Sequence, residues 1–225
     1  MSRVRRVSVA GRAAAPGAAT LLALAIVAAG GFPPASANGA ETAADRFARV
    51  LSETKDAQAA FTQVRQSPLL PEPMQSTGRL WLKRPGELKL VFLDPEPMTL
   101  WKRADTTWIY VPAMAQVQRY RVESVGVPLG LALGSSRRDL ESSARIVSDG
   151  NLVRLRPHAD RPAAWSEIVV EIPPGQPFPT RLEVVQADGE RMEFRFRSVR
   201  RNTGLAAGEM LPQWPDTVDV VRVGR

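Results

Sequence analysis

The clearest evidence for the fold is the stretch Arg181-Leu-Glu-Val-Val-Gln-Ala-Asp-Gly-Glu-Arg-Met-Glu-Phe-Arg-Phe-Arg-Ser-Val199. After the Asp188-Gly189 pair, the apolar residues Met192, Phe194 and Phe196 alternate with charged ones. An Asp-Gly pair favours a tight hairpin turn, because both turn positions need a positive φ. The stretch therefore predicts an antiparallel hairpin with one apolar face and one face in water.

The same alternation, bounded by turn signals, recurs along most of the chain. A second Asp-Gly pair, Asp149-Gly150, marks another hairpin. The connections are too short to hold crossover helices, so we expect the sheet to be antiparallel. The predicted strands are Gly78–Lys83, Leu88–Leu93, Met98–Arg103, Thr107–Val111, Val117–Val122, Ala144–Ser148, Leu152–Arg156, Trp165–Ile172, Arg181–Gln186, Arg191–Val199 and Val218–Val223.

An amphipathic helix is predicted before these strands, from Thr42 to Val64. Apolar residues recur there at steps of three and four, and charged residues fall outside that stripe. Pro68, Pro71 and Pro73 should end the helix near Arg65. The stripe comprises Phe47, Val50, Leu51, Thr54, Ala57, Phe61 and Val64.

A short apolar helix is predicted from Leu129 to Leu133, on a loop between two strands. Pro128 suits the first turn of a helix, and Gly134 suits the position after its end. Because Leu129, Leu131 and Leu133 leave this helix little polar surface, it must cover something apolar.

The first 37 residues have the features of a secretory signal peptide. They contain a basic segment, Arg3 to Arg12, an apolar run, Ala18 to Ala29, and a small-x-small site at Ala35-Ser-Ala37. The apolar run is shorter than the roughly 20 residues of a membrane-spanning helix. We therefore expect export across the inner membrane, cleavage near Ala37, and one mature domain over residues 38–225.

The composition excludes several kinds of chemistry. The chain has no Cys and a single His, His158, which excludes disulfides, a thiolate nucleophile and the usual zinc sites. No metal and no cofactor are expected. Without the four arginines of the signal segment, 26 basic residues face 23 acidic ones, a net charge near +3. That charge does not predict a nucleic-acid partner.

Two features could belong to an enzyme, and each has a simpler structural explanation. Ser52-Glu-Thr-Lys55 matches the S-x-x-K nucleophile motif, but its Ser-Asp-Asn and Lys-Thr-Gly partner motifs are absent. His158 lies in a polar loop near Asp160, without a candidate nucleophile. A solvated helix face explains the first feature and an exposed loop histidine the second, so we do not expect an enzyme.

The predicted sheet has more apolar surface on one face than two helical elements can fill. Such a sheet leaves a cavity under its helices, and cavities of this kind hold apolar ligands. An ordinary filled core is the alternative interpretation. The side chains predicted to face the cavity are Leu80, Leu82, Leu88, Leu90, Phe92, Met98, Leu100, Leu129, Leu131 and Leu133.

Several motifs, in their order along the chain, resemble the LolA family of periplasmic lipoprotein carriers. After the amphipathic helix come Phe61-Thr-Gln63, Gly78-Arg-Leu-Trp-Leu-Lys-Arg-Pro85, Thr107-Trp-Ile-Tyr-Val-Pro112 and finally Pro215-Asp-Thr-Val-Asp-Val-Val221. The Leu-Trp-Leu-Lys-Arg-Pro stretch is the most specific of these motifs. The resemblance extends from about Ala43 to Val221, nearly the whole predicted mature chain.

The resemblance implies an α+β fold, mainly antiparallel β: an unclosed β-barrel with helices as a lid over a hydrophobic cavity. It implies a monomeric periplasmic chaperone that receives acylated lipoproteins from an inner-membrane ATP-driven releasing complex. An outer-membrane receptor of the LolB type would accept them. By the same resemblance, Arg84 of the Lys-Arg-Pro loop holds the lid closed, Leu88 replaces an aromatic cavity residue, and Leu129–Leu133 is the lid helix.

Relatives of the carriers remain alternatives. The stretch Ser67-Pro-Leu-Leu-Pro-Glu-Pro-Met74 is richer in proline than in typical carriers, and residues 125–140 match them only in apolar character. Such a divergent branch could bind a glycolipid or phospholipid, or act as an envelope sensor without lipoprotein transfer. The absence of Cys excludes the lipid-anchored receptor LolB itself, and the length excludes two-domain sensors of the RseB type.

Overall fold

The computed structural model describes residues 41–121, 128–161 and 163–223. The predicted signal peptide and Val122, the last residue of one predicted strand, lie outside these ranges. Within them the helices are α1 (Ala43–Glu53), α2 (Pro128–Gly134) and α3 (Arg137–Ser143), and the strands are β1 (Asp56–Gln66), β2 (Met74–Lys83), β3 (Glu87–Asp94), β4 (Met98–Arg103), β5 (Thr106–Val111), β6 (Gln116–Arg121), β7 (Ala144–Asp149), β8 (Leu152–Pro157), β9 (Trp165–Glu171), β10 (Arg181–Gln186), β11 (Arg191–Arg201) and β12 (Asp219–Val223).

The described strands form one open sheet in the order β12-β6-β5-β4-β3-β2-β1-β11-β10-β9-β8-β7. β2 to β6 and β7 to β11 are two runs of antiparallel neighbours, and β1 pairs with β2 on one side and with β11 on the other. β7 and β12 are the two edges, so the barrel is unclosed in the part of the chain described. The predicted fold class, an α+β unclosed barrel made mainly of antiparallel strands, is confirmed.

One prediction about the sheet is wrong, because the pairing is not antiparallel throughout. β12 pairs with β6 in parallel, from Asp219 opposite Gln116 to Val223 opposite Tyr120. Parallel neighbours need a connection of a dozen or more residues. β6 ends at Arg121 and β12 begins at Asp219, so the chain between these parallel neighbours is far longer than that, and its last part, after β11, contains the 3-10 helix Ala207–Met210.

The helix predicted from Thr42 to Val64 is wrong in its second half. α1 ends at Glu53, and Asp56–Gln66 is a strand. A spacing of four residues, as between Ala57 and Phe61, places two side chains on the same side of a helix and also of a strand, so the pattern fits both. Every second residue of β1 is buried, namely Ala57, Ala59, Phe61 and Gln63.

Side chains from the far end of the chain fix the corner between α1 and β1. Asn202 donates from Nδ2 to the Glu53 carbonyl (2.9 Å), and its Oδ1 accepts from the Lys55 N–H (2.7 Å). The buried Asp56 carboxylate accepts from the backbone N–H groups of residues 203–204 at 2.8 and 3.0 Å. Because these groups satisfy the end of the helix, the chain can leave it here.

α2 confirms the short apolar helix predicted at Leu129–Leu133, with one more residue at each end. The prediction omits α3, whose sequence signal is the pair Ser136 and Asp139. The Ser136 hydroxyl accepts from the Asp139 N–H (3.2 Å), and the Asp139 carboxylate accepts from the Ser136 N–H (3.1 Å). This reciprocal capping begins a helix even without an apolar stripe.

The three helices contribute to one hydrophobic core on one face of the sheet, which we call the inner face. α1 packs against β7 and β8, and α2 packs against β2, β3, β9 and β10. The opposite face is called the outer face. The largest fully buried core side chains include Phe47, Leu80, Leu133, Leu140, Leu155 and Leu182.

We expect Asp56→Asn to lower the free energy of unfolding by about 2 kcal/mol at pH 7, because an amide cannot replace all the hydrogen bonds of the carboxylate. Burial raises the pKa of Asp56, but hydrogen bonds from Thr203 and Gly204 outweigh burial and hold the pKa below its usual value. A lowered pKa stabilises the folded state above the unfolded-chain pKa, about 3.9, and this contribution is lost as the pH falls through the folded-state pKa. Urea unfolding at pH 7 and pH 3 measures the difference.

Asp94→Asn is the matched control, because Asp94 is exposed at the end of β3. It should change the unfolding free energy by less than about 0.5 kcal/mol. If the deficit of Asp56→Asn is as large at pH 3 as at pH 7, the ionised carboxylate is not what stabilises this corner.

Candidate functional site

A cavity of about 400 Å³ lies on the inner face, between the sheet and the N-terminal end of α2. Its volume falls within the roughly 300–1,000 Å³ that is usual for small-molecule pockets. Strands β1 to β5, the β3–β4 turn, β10 and β11 supply most of the lining. The lining residues are Gln63, Arg65, Met74, Ser76, Leu90, Phe92, Glu96, Pro97, Met98, Leu100, Val111, Pro128, Leu129, Val184, Gln186, Met192 and Phe194.

The structure divides the predicted apolar residues into two groups. The first group lines the cavity and consists of Leu90, Phe92, Met98, Leu100 and Leu129. The second group packs in or against the core beside the cavity and consists of Leu80, Leu82, Leu88 and Leu133, which are fully buried, and Leu131, which is half-buried. The alternation places the strand leucines on the inner face, but core packing and cavity lining produce the same alternation.

The lining residues that the prediction omits come mostly from β1, β2, β10 and β11. Met192 and Phe194 belong to the apolar face of the hairpin, and the register places Val184 opposite Met192. The sequence therefore contains a signal for these three residues. The sequence pattern does not identify Gln63 and Arg65 as lining residues, because the helix predicted from Thr42 includes Gln63 and ends near Arg65.

Two phenylalanine rings, Phe92 and Phe194, line one wall of the cavity, and the Phe61 ring packs against both of them. The Phe61 ring lies 5.2 Å from the Phe92 ring and 5.5 Å from the Phe194 ring, both edge to face. Gly78 leaves room for this cluster, because a Cβ there would lie 2.5 Å from Phe61 Cζ. Edge-to-face pairs contribute about 0.5–1.5 kcal/mol each beyond their buried area, so these ring contacts stabilise the wall.

Arg84 binds the C-terminal end of α2. Its Nη1 donates to the Ser135 carbonyl (2.9 Å), and its Nη2 donates to the Leu133 carbonyl (3.1 Å). The last turn of a helix leaves its carbonyl groups free, and a cation at this end interacts favourably with the helix dipole. These hydrogen bonds lie where the family resemblance places them, while the role of α2 as a lid stays a prediction.

The Arg84 guanidinium is half-buried without a carboxylate partner. No ion pair reaches it within residues 41–121, 128–161 and 163–223. Its Nε is buried without a hydrogen-bond partner among these residues, and burial lowers the pKa of the guanidinium. Neutral carbonyl groups alone therefore bind the Arg84 side chain to α2.

Two glycines allow α2 to approach the β2–β3 turn closely. A Cβ at Gly134 would lie 3.3 Å from the Cα of Gly86, and a Cβ at Gly130 would lie 3.0 Å from Cδ of Lys102. Lys102 donates from Nζ to the Gly86 carbonyl (3.2 Å), and burial lowers its pKa. We call the packing of Gly130 and Gly134 on Lys102 and Gly86 the glycine contact.

The two residues considered for catalysis do not line the cavity, and each has a structural partner. Ser52 donates from Oγ to the Arg49 carbonyl (2.8 Å) on α1. The prediction that the S-x-x-K motif lies on one helix is wrong, because α1 ends at Glu53 and Lys55 lies beyond it. His158 is half-buried rather than exposed, and its Nε2 lies 3.0 Å from the Glu141 carbonyl.

Two general features of the described residues bear on the site. They contain no group of three or more His, Cys, Asp or Glu side chains that could hold a metal ion. None of their helices combines the length and the apolar character that crossing a membrane requires.

We expect Gly134→Ala to loosen α2, although alanine ordinarily stabilises a helix by about 1 kcal/mol relative to glycine. The new Cβ would press on the Gly86 backbone, which cannot rotate away as a flexible side chain can. Hydrogen exchange at the α2 amides, followed by mass spectrometry, should become about fivefold faster.

Gly208→Ala is the control, because no described atom lies within 4 Å of a Cβ at that position. Its α2 amides should exchange at the wild-type rate. Slower exchange in Gly134→Ala would mean that the gain in helix propensity exceeds any clash, and that the glycine contact is not close.

Comparisons with known proteins agree with this architecture. Residues 52–209 match the family model described as outer membrane lipoprotein carrier protein LolA. An outer-membrane lipoprotein carrier protein of Alkalilimnicola ehrlichii is 24% identical over 193 residues, 85% of this chain and 88% of that protein. The protein of the same name from Dechloromonas aromatica is 26% identical over 187 residues, 80% of this chain and 87% of that protein.

A solved structure shows the likeness of fold. The uncharacterized conserved protein from Thermus thermophilus superposes with a TM-score of 0.51 at 13% identity, covering 80% of this chain and 99% of that one. The family model spans well over half of the chain, from α1 to the 3-10 helix after β11. The chain therefore belongs to the LolA family of outer-membrane lipoprotein carrier proteins.

Proposed function

We propose that this protein holds the acyl chains of lipoproteins in the inner-face cavity and carries lipoproteins from the inner membrane to the outer membrane. The observation that carries the proposal is the apolar cavity between the sheet and α2, lined by Leu90, Phe92 and Leu129. Membership of a lipoprotein carrier family supports acylated lipoproteins or lipids as the class of cargo. The shuttling itself is the step that the experiments below test.

Burial of acyl chains would supply the affinity. Each CH₂ group moved from water to an apolar site contributes about 0.8 kcal/mol, so five methylenes contribute about 4 kcal/mol. A cavity of about 400 Å³ suits one drug-sized molecule, which is smaller than the several chains of a lipoprotein. α2 would therefore have to move away from the sheet to admit the whole cargo.

The Arg84 hydrogen bonds would compete with the cargo. A hydrogen bond to a charged group contributes about 1.5–3 kcal/mol, so the bonds to Leu133 and Ser135 favour the closed arrangement by a few kcal/mol. A ligand that needs the open arrangement binds more weakly by the same free energy. This bias would make it easier for an acceptor to remove the cargo.

We place this carrier in the periplasm as a monomer. The predicted signal peptide over residues 1–37 would be removed on export. The donor would be an inner-membrane ATP-driven lipoprotein-releasing complex, and the acceptor an outer-membrane receptor of the LolB type. Transfer towards the outer membrane requires that the acceptor bind the acyl chains more tightly than this protein does.

The first test is native mass spectrometry of protein purified from the periplasm, followed by identification of the extracted lipids. We expect a mature chain that begins near Asn38 and carries an acylated lipoprotein. A bound glycolipid or phospholipid would instead indicate a lipid-transfer branch. Empty protein that also fails to take up a triacylated lipopeptide would contradict the proposal.

We expect Arg84→Leu to bind a triacylated lipopeptide about 5–150-fold more tightly and to release it more slowly to outer-membrane vesicles. The variant loses the hydrogen bonds that favour the closed arrangement, so the loaded state gains about 1–3 kcal/mol relative to the empty one. A fluorescently labelled lipopeptide reports both binding and transfer.

Arg79→Leu is the matched control, because Arg79 is exposed on the outer face of β2, away from α2. It should bind and transfer the lipopeptide like the wild type. Normal transfer by Arg84→Leu would remove Arg84 from the mechanism.

A further inference from the structure

One end of the cavity is polar, and one of its polar side chains has no partner. Gln63 lies on the inner face of β1, lines the cavity and is only 8% exposed. Its side-chain amide makes no hydrogen bond to any residue that the structure describes. In the described ranges, the fully buried polar side-chain atoms without a partner are Arg84 Nε, Trp101 Nε1 and Thr107 Oγ1, so the Gln63 amide is not sealed in the core but faces the cavity. No hydrogen bond within the described residues accounts for glutamine at this position.

The register of β1 arranges the cavity in layers from the core to solvent. The outermost layer is open, because half of the Arg65 side chain and 40% of Met74 are exposed. Gln63 therefore lies between the aromatic wall and the mouth of the cavity. The layers are Phe61 with Gly78 and Phe196, then Gln63 with Ser76 and Phe194, then Arg65 with Met74 and Met192.

The charges near the mouth are largely paired within the protein. Arg65 Nη2 lies 2.7 Å from one oxygen of the buried Glu190, and Gln186 donates from Nε2 to the other oxygen (2.9 Å). Glu96, exposed at the rim, is the remaining charged residue of the lining. Since the cation is already paired and the free charge is negative, this end favours a neutral polar group over an anion.

We propose that Gln63, with Ser76 opposite it on β2, binds the neutral ester or amide linkage of an acyl ligand. The acyl chain then extends past Phe194 towards the Phe61 layer. The inference rests on the proposed function, because it assigns a site within the same cavity. A ligand carbonyl accepts from Gln63 Nε2, and a ligand N–H or hydroxyl donates to Gln63 Oε1.

Such a site would discriminate between amphiphiles and wholly apolar molecules. A ligand that offers a carbonyl gains a hydrogen bond at Gln63, whereas a hydrocarbon covers the cavity-facing amide without offering it a partner. Phe92, Phe194 and Leu129 accept either ligand, because they make only apolar contacts. The polar layer thus determines how deeply a chain enters, since the linkage stops at Gln63 and the remainder of the ligand stays at the mouth.

The test measures two probes on the wild-type protein and on Gln63→Leu. Diphenylhexatriene is a fluorescent hydrocarbon without a polar group, and monolauroylglycerol is a neutral ester whose binding is measured by displacement of the first probe. In Gln63→Leu we expect monolauroylglycerol to bind about tenfold more weakly, which corresponds to about 1.4 kcal/mol. Diphenylhexatriene should bind as tightly as to the wild type, or more tightly.

Gln58→Leu is the matched control, because it makes the same change on the same strand but on the outer face. Gln58 accepts a hydrogen bond from Arg200 (2.8 Å) and does not line the cavity. Both probes should bind this variant as they bind the wild type. Its melting temperature also controls for the effect of a leucine in β1.

The outcomes separate this inference from the proposed function. If both probes bind the wild type and Gln63→Leu does not change their ratio, the polar site is wrong and the cavity remains. If neither probe binds the wild type, the carrier proposal and this inference fail together. The melting temperature of ligand-free Gln63→Leu should stay close to that of the wild type, because the substitution breaks no hydrogen bond among the described residues. A marked decrease would instead assign Gln63 to the fold.

Discussion

The pairing of β1 with its two neighbours connects the halves of the sheet, and the cavity depends on its register. Within the described strands, β2–β6 and β7–β11 meet only through β1. A shift of one residue would turn Gln63 away from the cavity and Phe61 away from the lining rings that it supports. The hydrogen bonds of Asp56 and Asn202 hold the first residues of β1. An anchor at one end of the strand thus determines which side chains face the cavity at the other.

Most strands could be predicted because alternation and turn residues are local signals, and Met98–Arg103 and Arg181–Gln186 agree residue for residue. The end of α1 could not be predicted in this way. The groups that satisfy it come from residues 202–204, which lie 147–149 positions away in the sequence from their partners. The parallel pairing of β12 likewise depends on the path of a long connection. Local patterns indicate which face a residue occupies, whereas distant partners decide where an element ends.

In the candidate site, too, the local pattern determines which face a residue occupies, and contacts with distant residues determine its surroundings. Leu88 and Leu90 follow each other on the inner face of β3, yet Leu88 packs in the core and Leu90 lines the cavity. The difference arises from how far α2 reaches over the sheet, with Gly130 against Leu88 and Lys102. The alternation of apolar and polar residues in β3 does not show how far α2 extends over the sheet. The contact between Arg84 and the end of α2 could be predicted only from the family resemblance. Its partners are backbone carbonyl groups, which every residue has, so no sequence pattern indicates them.

The hydrogen bonds that hold the end of α2 in place can be compared with the free energy of burying an acyl chain. Arg84 contributes two hydrogen bonds without an ion pair, and the glycine contact adds close packing over a helix of only seven residues. About four buried methylenes, at roughly 0.8 kcal/mol each, equal one or two such hydrogen bonds. In the proposed carrier, one acyl chain would therefore offset the Arg84 hydrogen bonds. The buried Leu129, Ala132 and Leu133 would also have to exchange their core contacts for contacts with the acyl chain. A buried ion pair at Arg84 would shift this balance, because opening would then strand an uncompensated charge.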